Sequence, residues 1–278
     1  DGNLGAAVTW TSSLTGPLGT GATVTPTLAT GVHTIVASVQ DAFAGIDADT
    51  VTVTVLADVF RWTNASGGLW SSGANWDRGT APGATSTVEI VLSGTYTVTL
   101  DGNVTVASLL LGGGTGTRTL ESIGRTVTVS GVLDARAGGV VNLTGGSLSA
   151  RRLDQTGAST VVASGLTVDA DTLTTGSGST FRLTASAGVL GRVENGTGAT
   201  LEVGPGSSTV TGALVQNGTV RLDASTGNAT LTLSQSYTNA GTFEFTGSGF
   251  TAQHTLSSGT LLNSGTIRVV NGAHAMSA

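Results

Sequence analysis

Val140-Val141-Asn142-Leu143, Thr160-Val161-Val162, Thr180-Phe181-Arg182-Leu183, Thr200-Leu201-Glu202-Val203, Thr219-Val220-Arg221-Leu222, Thr242-Phe243-Glu244-Phe245 and Thr266-Ile267-Arg268-Val269 are copies of one phrase. Its central apolar residue falls at 141, 161, 181, 201, 220, 243 and 267, so the steps are 20, 20, 20, 19, 23 and 24 residues. A strand-like phrase that returns at such a period marks a stacked solenoid. Two further apolar tracks run in phase with it. One is Leu148, Val168, Leu190, Val210, Leu231 and Leu256; the other is Leu133, Leu153, Leu173, Val193, Val215, Tyr237 and Leu262. Three tracks predict three short strands per turn, hence an all-β, three-faced parallel β-helix over residues 86–278 with rungs of about 20–25 residues. No stretch carries a 3.6-residue apolar period, so essentially no helix is expected.

Working toward the N-terminus, residues 57–85 form a Trp-rich connector with Trp62, Trp70 and Trp76. Large rings can cover the open apolar end of a first rung, so these residues are expected to form a cap; a sugar-stacking platform is the alternative. Residues 1–56 contain short strand-like runs at Ala7-Val8-Thr9-Trp10, Thr23-Val24-Thr25, His33–Val39 and Thr50–Val55, punctuated by Gly, Pro and Asp as in an antiparallel sandwich.

The words Asp1-Gly2-Asn3-Leu4, Val8-Thr9-Trp10-Thr11-Ser12-Ser13, Gly16-Pro17-Leu18-Gly19-Thr20-Gly21, Gly31-Val32-His33-Thr34-Ile35 and Val39-Gln40-Asp41 resemble a bacterial immunoglobulin-like domain of the PKD-like kind. That resemblance implies a partial immunoglobulin-like sandwich lacking its first strands. Such a module leaves an open edge, which a longer chain or another subunit would cover. The Trp-rich segment, with Asn75-Trp76-Asp77, resembles the segment that opens β-helical regions of bacterial surface and autotransporter-like proteins.

Strand side chains alternate, so the residue between the two apolar positions of the phrase points outward. Along the rungs it reads Asn142, Val162, Arg182, Glu202, Arg221, Glu244 and Arg268, with sign alternating over the last five. Strands ~4.8 Å apart place each charge between opposite ones, so Arg182, Glu202, Arg221, Glu244 and Arg268 are expected to fix the register. A second ladder is expected at the preceding turn, from Asn195, Asn217, Asn239 and Asn263. Asp134 and Asp154, one rung apart, form the candidate corner for Ca2+ or a sugar, with Arg136, Arg151, Arg152 and Arg192 near enough to neutralise it.

Composition removes most other chemistry. The chain has no Cys and no Lys, which excludes disulfides, thiol and Schiff-base catalysis and a P-loop. A formal charge of −6 without basic clusters argues against nucleic acid. No apolar run is long enough for a membrane helix, and the clustered Trp do not form the paired girdles of a membrane barrel.

The expectation is a non-enzymatic structural or adhesive segment of an extracellular bacterial surface protein, without cofactor. It would act as a stiff stalk or as a filament subunit partnered by copies of itself or flanking segments. The stack ends at Gly272-Ala273-His274-Ala275 without a visible cap, which suits head-to-tail contact. The competing reading is a carbohydrate-binding or carbohydrate-cleaving β-helix, with surface glycans as partners.

Overall fold

The computed structural model describes residues 7–56, 58–271 and 273–277, so the Asp1–Leu4 word, Ala57 and Gly272 lie outside the described residues. Two compact units divide the chain, Asp1–Asp58 and Val59–Ala278.

The first unit holds a four-stranded antiparallel sheet of β1 (Thr9–Ser12), β2 (Gly16–Thr20), β3 (Gly31–Gln40) and β4 (Ile46–Val55), in the order β2-β1-β3-β4. No second sheet faces it among the described residues. Its buried side chains are Ser12, His33 and Ile35. The His33 ring links three segments, with Nδ1 2.7 Å from the Ser12 hydroxyl and Nε2 2.6 Å from the Ala29 carbonyl oxygen. The run Thr23-Val24-Thr25, expected as a strand, is irregular. Pro26 offers no amide for a ladder there. The flanking backbone is held by the Trp10 indole, which donates to the Gly21 carbonyl at 2.8 Å. Gly16–Thr20 supplies the strand instead.

The second unit is a parallel β-solenoid of about nine turns. Its first face carries the opening phrase, for example Gly139–Thr144, Thr160–Ser164, Thr180–Thr184, Thr200–Val203, Thr219–Ala224 and Thr242–Gly247. Val98, Leu120, Val141, Val161, Phe181, Leu201, Val220, Phe243 and Ile267 stand in register as one inward column. All but Ile267 are buried. The second and third faces follow, and in the turns at Thr126–Ala135, Ser147–Gln155 and Thr167–Thr175 one bent strand serves both. Where the chain crosses between these faces a side chain has no room: a Cβ on Gly191 would sit 1.5 Å from the Ala170 carbonyl oxygen.

Two columns differ from expectation by slips of one or two residues. On the second face Val168, Val189, Val210, Leu233 and Leu256 align. Leu190 therefore points outward, half exposed, and Leu231 aligns with Ser208 and His254. On the third face Val193, Leu214, Tyr237 and Leu261 align, so Val215 and Leu262 are outward. The cause is a redistribution of residues among the corners. From the first column to the second the chain advances seven positions from Val141 to Leu148 but 13 from Val220 to Leu233. From the third column back to the first it advances eight from Leu153 to Val161 but only six from Leu214 to Val220. A uniform period misplaces any residue that lies between these two compensating changes.

The solenoid sheets also begin earlier than residue 86. Val59–Arg61 pairs in parallel with Thr87–Ile90, placing Phe60 beneath Val88, and Gly68–Leu69 pairs with Tyr96–Leu100. Alternation in Val59-Phe60-Arg61 turns one ring inward and one guanidinium outward, so the connector contributes strands of its own.

Candidate functional site

The outward positions of the first face form one column, which is an ionic ladder from Arg182 to Arg268. Glu121, Asn142, Val162, Arg182, Glu202, Arg221, Glu244 and Arg268 are neighbours across the sheet. Arg182 Nε lies 3.1 Å from Glu202 Oε1, and Arg221 reaches Glu202 at 3.9 Å and Glu244 at 3.1 Å. Arg268 closes on the other oxygen of Glu244, whose side chain is only 7% exposed between its two partners. The guanidiniums remain 40–59% exposed, which holds each pair to about 0.2–1 kcal/mol. Their larger effect is discrimination, because sliding one turn against the next takes each charge away from its opposite partner.

A second ladder lies inside the corner between the third and first faces. Gln155, Thr175, Asn195, Gln216, Asn239 and Asn263 align turn by turn. Asn217 does not belong to it: Asn217 is exposed at the turn and Gln216 occupies the column, buried. Strand alternation decides this, since the inward residue is the second after Leu214, as Asn195 is the second after Val193. Each buried amide donates to the carbonyl of the threonine that opens the first-face strand one turn beyond its own: Gln155 to Thr180 at 2.9 Å, Asn195 to Thr219 at 2.8 Å, Gln216 to Thr242 at 3.1 Å and Asn239 to Thr266 at 3.1 Å. Amide-to-amide bonds join neighbours within the column, Asn195 to Gln216 and Asn239 to Asn263, both at 2.7 Å.

Asp134 and Asp154 are register partners at an open concavity of about 400 Å3 on the third face. Each carboxylate is already engaged. Asp134 Oδ2 accepts from Arg136 Nε at 2.8 Å, and Asp154 Oδ2 accepts from Arg152 Nε at 2.8 Å. Two carboxylates and two guanidiniums make a neutral quartet, whereas Ca2+ takes six to eight oxygen ligands, commonly from several carboxylates. No cluster of three or more His, Asp or Glu suited to a metal occurs among the described residues.

Trp62, Trp70 and Trp76 are buried and pack edge to face, with ring centroids 5.0 Å apart for Trp62–Trp76 and 4.9 Å for Trp70–Trp76. Trp62 stacks on Tyr96 of the next turn, and the Trp76 indole donates to the Trp70 carbonyl at 2.8 Å. Asp101 accepts from the Ser71 amide and hydroxyl, tying connector to solenoid, and these bonds hold its carboxyl below the usual range. The indole faces are therefore covered by protein, not presented to solvent.

Three further buried polar groups are Arg118, Tyr237 and His254, of which Tyr237 alone lies on one of the periodic tracks. Arg118 is fully buried at the start of its strand and donates to the carbonyls of Leu92, Gly114, Thr115 and Gly116 at 2.8–3.1 Å, binding two loops together without a carboxylate. The Tyr237 hydroxyl meets His254 Nε2 at 2.8 Å inside the late turns, with the imidazole stacked on Phe243. Burial raises the phenol pKa of Tyr237 and lowers the imidazole pKa of His254. His254 stands in the column of Ser208 and Leu231, and its residue type is the only clue that the column becomes polar.

With this geometry in hand the chain is a β-solenoid protein. No protein family, no curated protein and no solved structure matches it, so neither the PKD-like nor the adhesin resemblance gains support from known relatives.

Proposed function

We propose that this chain is a structural or adhesive segment of a bacterial extracellular surface protein, a stiff stalk or filament subunit without catalytic activity. One observation carries the reading: the charged column of the first face and the amide column of the corner are spent on holding one turn against the next. The first-face ladder joins five successive turns through ion pairs, and the amide column does the same from inside. Parallel stacking with both ladders in place resists shear between turns. The carbohydrate reading rested on open tryptophans and free carboxylates, and both sets are engaged with other protein groups.

Pulling the chain from both ends by force spectroscopy tests the stalk role. A stalk gives a high-force plateau over the solenoid; extension at forces no greater than those of a flexible linker would overturn it. A glycan array probed with the intact chain checks the alternative, and specific binding lost in Asp134→Asn and Asp154→Asn would restore the sugar reading.

A further inference from the structure

β4 forms one edge of the N-terminal sheet, and only half of that edge is closed. Its odd-numbered residues bond to β3: Asp41 N donates to Gly45 O at 2.9 Å, and the pairs continue through Val39–Asp47, Ala37–Asp49, Ile35–Val51 and His33–Val53. Antiparallel alternation then turns the backbone groups of Ala48, Thr50, Thr52 and Thr54 to the outer edge. Two of these amides are covered by neighbouring carboxylates, Ala48 by Asp47 at 2.9 Å and Thr50 by Asp49 at 2.7 Å. The edge beyond them runs Thr50-Val51-Thr52-Val53-Thr54, uncharged and strictly alternating, with Val51 54% exposed. Natural edges are blunted by charge or proline. Here the acidic block stops at Asp49.

We propose that Thr50–Thr54 of β4 pairs antiparallel with the same segment of a second copy of this chain, about a two-fold axis at Thr52, joining two four-stranded sheets into one. The sequence is self-complementary about that point. Thr50 of one copy lies across from Thr54 of the other and Thr52 across from Thr52, all pairs whose backbone groups face outward, so the ladder bonds form in register once the Asp49 side chain turns off the Thr50 amide. Threonine then meets threonine on one face and Val51 meets Val53 on the other, both favourable cross-strand pairs. The same axis sets Asp49 opposite Val55, so the two acidic blocks lie at opposite ends of the ladder and do not repel. Such a contact is isologous and closes as a dimer. It does not depend on the stalk role: a chain that never pairs through β4 would fail the test below and still serve as a stalk.

Because the chain lacks cysteine, a single introduced thiol reports the geometry. Paired Cα atoms at a hydrogen-bonded position lie ~5.5 Å apart, within disulfide range. Thr52→Cys in the full chain is expected to form a covalent dimer under mild oxidation, whereas Ala48→Cys, ~27 Å from its own copy in this register, is not. Sedimentation of the unmodified chain should show a concentration-dependent dimer. Thr52→Lys, a change at an exposed site that leaves the isolated sheet intact, should weaken it about tenfold or more by placing like charges face to face. A chain that stays monomeric to about 100 µM overturns the proposal. So does a dimer that survives Thr52→Lys, or a Thr52→Cys chain that does not cross-link.

Discussion

The turns around Val141–Leu183 and those around Val220–Leu256 share one first-face phrase, yet their interiors differ. In the early turns the sheet columns are dry, with Val141, Leu148, Leu153, Val161, Ala163, Val168 and Phe181 all buried, and the buried polar side chains Gln155, Ser159, Thr175 and Ser179 sit at the corner before the first face. In the late turns the corner after the first face is wider, and Tyr237, His254, Gln216 and Asn239 lie inside with Phe243 and Phe245. Each side chain in a solenoid needs to suit only the turn above and the turn below. A dry column can therefore become a hydrogen-bonded one over a few turns, and a polar corner can persist, provided each step is satisfied: Asn195 to Gln216, Asn239 to Asn263, Tyr237 to His254.

The largest blow to this comparison is expected at its dry end. Phe181 is fully buried, and Phe181→Ala should cost about 3–5 kcal/mol through lost burial and the cavity left behind. Hydrogen exchange should then quicken across the turns flanking residue 181; protection unchanged there would mean the turns are not close-packed. Next is Asn239→Ala, which removes the two hydrogen bonds that the buried Asn239 amide donates to Asn263 and to the Thr266 carbonyl, at about 0.5–1.5 kcal/mol each. Its exchange signature should be confined to the late turns.

Acid should separate the two regions without any mutation. The folded-state pKa of His254 lies below its ordinary 6.5, lowered chiefly by burial. Its contribution to stability is thus complete above that value and lost as pH falls through the folded-state pKa. Late-turn amides should exchange faster at about pH 4.5 than at about pH 7, corrected for intrinsic rates, while early-turn amides hold. His254→Leu should remove the difference, and an acid response spread evenly over all turns would contradict it. The smallest effect is expected for Arg182→Ala. An exposed member of the ladder is worth about 0.2–1 kcal/mol, so a loss beyond about 2 kcal/mol in chemical denaturation would show that the ladder does more than hold register.

Legibility followed the same division. The first-face column and the ladder through Arg182, Glu202, Arg221, Glu244 and Arg268 could be read directly, because both lie within one strand where alternation is local and strict. The second and third columns were legible in the early turns and slipped by one or two residues at Leu190, Val215, Leu231 and Leu262, where corner lengths change in compensating directions. Asn217 was misplaced for the same reason, by matching the Asn-Gly word and not the strand phase. Arg118 left no trace at all, since its partners are backbone carbonyls of two loops.

The sequence by itself determined the class of fold, the period, the direction of the first-face side chains and the alternation of charge along it. These follow from residue order and from the two-residue repeat of a strand. Tertiary structure alone decided which residues of the corners turn inward, that an amide column ties each turn to the next, that the tryptophan faces are covered, and that the Asp134–Asp154 corner is neutralised. Each of those depends on distances between turns some twenty residues apart, and a variable corner can shift such distances without disturbing the phrase that repeats.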